Sequence, residues 1–124
     1  MSERYLKKVE SLEQEFEFIT SHEIMDEVTE RAALYSLQIC IESGMDIVAM
    51  KVKDLGLLVE DDSTNIDKLV QEQIISKPEG ALLKEFNGIR NAVAHKYNRL
   101  DTATIQEARA RIAELIDLIF TIAG

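Results

Sequence analysis

Arg90, Asn91, His95 and Tyr97 fall within eight residues of one another and carry the groups from which a phosphate chemistry can be built. Arginine is a permanently charged fork whose N–H groups match phosphate oxygens. Histidine takes and gives a proton near neutral pH. Together they suffice to cleave RNA without a metal. A base removes the 2′-hydroxyl proton, the oxygen attacks the adjacent phosphate, and a cation stabilises the charge that builds up. Asn91 can orient a phosphate or the imidazole. DNA lacks the 2′-hydroxyl and is excluded as a substrate by this route.

The surroundings of these residues set them apart. The chain has 124 residues and a formal net charge of −9, yet no Asp or Glu lies between Phe86 and Leu100. Arg90, His95, Lys96 and Arg99 form a cationic island there, in which Lys96 and Arg99 join Asn91 as substrate-binding candidates. An acidic protein does not bind nucleic acid over a broad surface, so any contact with RNA has to be local.

Other chemistries find little support. His22 and His95 are the only histidines and Cys40 the only cysteine, so no cluster has metal-ligand spacing and no internal disulfide forms. Cys40 lies in the apolar run Leu37–Ile41 and reads as a small buried hydrophobe rather than a nucleophile. No cofactor is expected. No apolar run is long enough to span a membrane, and the charged start Met-Ser-Glu-Arg-Tyr has no signal-peptide core, so a cytoplasmic protein is expected.

The elements that must position the island read as helices. With five glycines and one proline, and apolar residues recurring at three- and four-residue steps, the chain is all-α and fits one domain over residues 1–124. A first helix spans about Ser2 to Ile19, with Leu6, Val9, Leu12, Phe16 and Ile19 on its apolar face. Thr20–Glu23 reads as a capping box that opens a long second helix, from about His22 to Leu55. Val28, Ala32, Tyr35, Ile39, Met45, Val48 and Val52 repeat along it, and further apolar faces suggest more than one neighbour. Gly44 suits the close approach of another helix, and Gly56 ends the element. Gln38, Glu42 and Asp46 line one stripe, either a solvated edge or the wall of a cleft. Thr64 with Asp67 starts a short helix over about Asn65 to Ile75. The fourth runs from about Glu79 to near His95, with Pro78 suited to its first turn, and Asp101 or Thr102 caps the fifth.

On one continuous helix Arg90 and Tyr97 share a face, whereas Arg90 and His95, five apart, point roughly 140° away from each other. They converge only where the helix ends or distorts near His95, or where a second subunit completes the site.

The string Gly88 to Tyr97, followed by Asp101, resembles the signature of the HEPN superfamily, and most of all the HepT-like toxins of prokaryotic toxin–antitoxin pairs: Arg, Asn, four intervening residues between Arg and His, then any residue and Tyr. The long second helix with embedded acids, Glu30 to Ile47, is similar too, although Ala94 stands where many relatives have a larger residue. The resemblance implies an antiparallel bundle of about five helices that forms a homodimer, with Arg90 and His95 of both subunits facing one cleft. It implies a metal-independent endoribonuclease acting on RNA, transfer RNA included. It further implies a minimal nucleotidyltransferase (MNT) as antitoxin, which neutralises the toxin by adding AMP to Tyr97. Two other readings stand beside it: a non-catalytic HEPN subunit that binds a nucleotide or the nucleotidyltransferase, and a plain helical dimerisation domain.

Overall fold

The computed structural model describes residues 1–95 and 102–124, and shows five helices: α1 (Glu3–Ser21), α2 (Glu27–Asp54), α3 (Asp62–Gln71), α4 (Lys77–His95) and α5 (Thr102–Ala123). No strand occurs among the described residues. α2 is the hub and packs against each of the other four helices, with α1 also on α5, α3 on α4, and α4 on α5. This accounts for its apolar character on several faces: Leu37, Cys40, Ile41, Met45, Ile47, Val48 and Val52 are all buried. They join Val9, Leu12, Ile66, Leu69, Leu83, Phe86, Ile112, Leu115 and Ile119 in one connected core. Gly44 lies against Ile119 of α5, where an added Cβ would come within 3.2 Å of the isoleucine, so the close approach expected there is present.

Several boundaries differ from the sequence reading, each for a local reason. Thr20 does not open α2. It stays within α1 and its hydroxyl donates back to the Phe16 carbonyl at 2.9 Å. His22 is the C-cap of α1 instead, stacked on Phe18, and Arg109 of α5 donates to the Ile19 and His22 carbonyls at that end. The capping box that opens α2 is at Asp26: its carboxylate accepts from the Thr29 amide at 2.8 Å, and the Thr29 hydroxyl accepts from the Asp26 amide at 2.9 Å. Both orphan donors are satisfied there, which Thr20–Glu23 does not achieve. Val28 and Tyr35 belong to the helical repeat but are 75% and 63% exposed, so they do not point into this core. Leu6 is exposed as well, and Tyr5 takes the buried position.

α3 starts three residues earlier than Asn65, because Asp61 is its cap and accepts from the Thr64 amide at 2.8 Å. Asn65 is buried, and its amide bridges the Glu60 backbone in both directions, at 2.8 and 3.1 Å. α4 opens with a capping box that the sequence reading missed, in which Ser76 and Glu79 satisfy each other's amides. α2 ends as expected at Gly56, at φ 78°, with Gly56 and Leu57 donating to the Lys53 and Val52 carbonyls. α3 ends in the same geometry at Gln73, at φ 60°. Of the two proposed caps for α5, Thr102 is its first residue and Asp101 lies outside the described residues.

Candidate active site

α4 carries Arg90, Asn91 and His95 in its last two turns. Its inward side, Leu83 and Phe86, is fully buried against the bundle, which fixes the rotation of the helix about its axis. That rotation turns Arg90 toward the start of α3. One Arg90 Nη2 donates to Asp62 Oδ2 at 2.6 Å and to Asn87 Oδ1 at 3.2 Å. The ion pair is part-buried, with Arg90 23% and Asp62 31% exposed. Such a pair is less screened by solvent and salt than the exposed pairs elsewhere on this surface, such as Glu27–Arg31.

Arg90 Nε is buried and has no hydrogen-bond partner among the described residues. Leaving such a donor unpaired costs about 1–3 kcal/mol. The side chain accepts that cost while Asp62 and Asn87 hold the far end of the guanidinium. Its pose is thus specified by the packing of three side chains on two helices, unlike that of a solvated surface arginine.

Asn91 is exposed, one step round the helix from Arg90. His95 is the last residue of α4, which is continuous from Lys77. Positions 90 and 95 therefore remain roughly 140° apart around a single helix. The residues that follow His95 lie outside the described residues, so the two ways in which the sequence reading allowed them to converge stay open. Lys96, Tyr97 and Arg99 lie outside the described residues.

The polar stripe of α2 finds partners within the chain. Gln38 donates to Glu42 at 3.1 Å, and Asp46 pairs with Lys8 of α1 at 2.9 Å. At Asp46 the stripe is the seam between α1 and α2. Cys40 is fully buried, and burial pushes its thiol up to about 12. It is a packing residue, as its sequence context indicated.

Asp62 and Asn87 were given no role by the sequence. The signal for Asp62 was present in Glu60-Asp61-Asp62, three acids at the start of a helix that needs only one as its cap. Asp61 takes the cap, and Asp62, one residue on, is directed at α4.

This arrangement of five helices is the fold of HEPN proteins. Two solved structures share this fold across nearly their whole length. One, a toxin–antitoxin complex with AMP-PNP, has a TM-score of 0.89 at 19% identity, covering 98% of this chain and 99% of that one. The other is a tri-AMPylated Shewanella oneidensis HEPN toxin in complex with MNT antitoxin, with a TM-score of 0.88 at 21% identity and 98% coverage of both chains. The sequence itself matches the family described as Ribonuclease HepT-like over residues 3–122. Two Archaeoglobus fulgidus proteins, each named "Putative RNase", are 50% identical over 115 residues (93% of this chain, 87% of the relative) and 36% identical over 121 residues (94% and 91%). The chain belongs to the HepT-like ribonuclease family.

Proposed function

We propose that this chain is the toxin of a HEPN–MNT pair and that it cuts RNA, transfer RNA included, without a metal. The observation that carries the reading is Arg90: a part-buried, fixed guanidinium five residues before the histidine that closes α4. In this mechanism one imidazole takes the 2′-hydroxyl proton. The 2′-oxygen attacks the neighbouring phosphorus, the bond to the 5′-oxygen breaks, and a protonated imidazole returns a proton to that leaving oxygen. The products are a 2′,3′-cyclic phosphate and a 5′-hydroxyl. Arg90 stabilises the phosphorane charge, and Asn91, Lys96 and Arg99 hold the strand.

A homodimer resolves the angular problem. Two copies of α4 meeting at one cleft supply two arginines and two histidines, so that His95 of one subunit serves as base and its twin as acid. Tyr97, seven residues after Arg90, is the control point. Each AMP attached there by the cognate nucleotidyltransferase brings bulk and a negative charge to the place where the RNA phosphate must sit. The solved Shewanella relative, a tri-AMPylated toxin held by its MNT antitoxin, supports this assignment.

The test is cleavage of tRNA by the purified chain in the presence of chelator. Arg90→Ala and His95→Ala are expected to abolish cutting while the chain stays folded at the assay temperature, and a DNA oligonucleotide is expected to survive. Retained cutting by either variant removes that residue from the mechanism. Saturable nucleotide binding with no cleavage by wild type would favour the non-catalytic binding subunit.

A further inference from the structure

We infer that Asp62, seconded by Asn87, is the positioning residue of this site: it holds Arg90 in the pose that meets the scissile phosphate. The inference rests on the ribonuclease reading above. It starts from the asymmetry of the Arg90 contacts. Nη2 carries both described hydrogen bonds, to Asp62 at 2.6 Å and to Asn87 at 3.2 Å, while Nε is buried without a described partner. An arginine free to choose would rotate until Nε was solvated. This one is held by a carboxylate on another helix, 28 residues earlier in the chain.

The arrangement suits a phosphate-binding arginine. A guanidinium held at one nitrogen by a carboxylate and an amide oxygen loses rotamer freedom before substrate arrives, so less order has to be imposed on binding. A displacement of about 1 Å at such a group costs on the order of 100-fold in rate.

Asp62 is well placed to do this because α3 is held independently of it. Asp61 performs the capping, Asn65 locks the preceding loop, and Lys84 of α4 pairs with Asp67 of α3 at 2.6 Å. The Asp67–Lys84 pair provides an internal control, since it joins the same two helices without touching Arg90.

If Asp62 were instead a latch that competes with phosphate for Arg90, removing it would raise activity. The short contact and the second acceptor on the same Nη2 favour positioning, because Asn87 would continue to occupy that nitrogen after Asp62 let go.

The experiment uses the purified full chain with two readouts: cleavage of tRNA, and affinity for a fully 2′-O-methylated RNA that cannot be cut by 2′-oxygen attack. Asp62→Ala is expected to lower kcat by about 10- to 100-fold. Asp62→Asn, which keeps an acceptor, should recover part of that loss, and Asp67→Asn should leave kcat unchanged. In binding, Asp62→Ala and Arg90→Ala are expected to be strongly non-additive, since Asp62 acts only through Arg90. Wild-type kcat in Asp62→Ala, a gain of activity, an equal loss in Asp67→Asn, or additive losses in binding would each overturn the positioning role. RNA bound with this coupling but left uncut by wild type would uphold the role and remove the nuclease. A wild-type chain that neither binds nor cuts would overturn both.

Discussion

Arg90 is a residue whose neighbours matter more than its exposure. A guanidinium three-quarters covered, with Nη2 on a carboxylate and Nε unsatisfied, is restrained before any substrate arrives. The contrast on the same molecule is Cys40, which is equally specific and chemically silent. Its thiol is fully buried against Leu12 and held protonated up to about 12. In the unfolded chain it ionises near its ordinary value of 9.0. Between those two pH values the unfolded state releases a proton that the native state keeps, so stability falls as pH rises through that window. Denaturant titrations at steps from pH 8 to 11 are expected to show this decline, and Cys40→Ala should flatten part of it. Tyr5, pushed upward by burial and by its hydrogen bond to Asp54, contributes in the same direction and accounts for a remaining slope. Native protein should resist thiol alkylation at pH 8, and rapid labelling there would contradict the buried assignment.

Among the elements, α3 is the most instructive. It is short, it was misplaced by the sequence reading, and it supplies Asp62. Its C-terminus carries a strained residue: Gln73 adopts φ 60° in a turn whose amides close onto Val70 and Leu69. The corresponding turn after α2 uses Gly56. Gln73→Gly is therefore expected to stabilise the fold by about 0.5–1 kcal/mol, read as a higher denaturation midpoint at unchanged slope. The gain would come without loss of cleavage, because the turn lies at the opposite end of α3 from Asp62. At Gly80 the spacing of α3 and α4 is tight, and an added Cβ would lie 2.7 Å from Val70. The distance between these two helices sets the Arg90–Asp62 contact.

For the whole molecule, charge decides how RNA can be met. A net charge of −9 repels a polyanion everywhere except at a local cationic site. Binding of single-stranded RNA should then engage few phosphates. The logarithm of affinity is expected to fall with the logarithm of salt at a slope of about −2 to −4, against about −10 for a protein with an extensive phosphate interface. A much steeper slope would point to a broad surface outside the Arg90 region. On the proposed reading, each adenylate added at Tyr97 would remove a large share of a small local charge and so act as a switch. Co-expression with the cognate nucleotidyltransferase is expected to produce chain bearing AMP on Tyr97 by mass spectrometry, with RNA cleavage lost in parallel. Neutralised complex carrying an unmodified Tyr97 would remove the switch.

The sequence by itself determined the helical class, the core positions Met45, Val48 and Val52 of α2, the turn at Gly56 and the buried character of Cys40. All of these rest on periodicity or on one residue's local chemistry, and both are written within a few neighbouring positions. It also marked Arg90 to Tyr97, because the absence of acids around them is local. Where several polar residues competed for one role, as at Thr20 against Asp26 or Thr64 against Asp61, local pattern pointed to the wrong one. The winner is set by which backbone amides are left over once the core has fixed each helix. Only the tertiary structure decided that Val28 and Tyr35 stay outside this core and that Asp46 is taken by Lys8. It alone brought Asp62 and Asn87 to Arg90. An ion pair between residues 28 positions apart depends on the rotation of α4 and its spacing from α3, and those follow from the packing of the bundle.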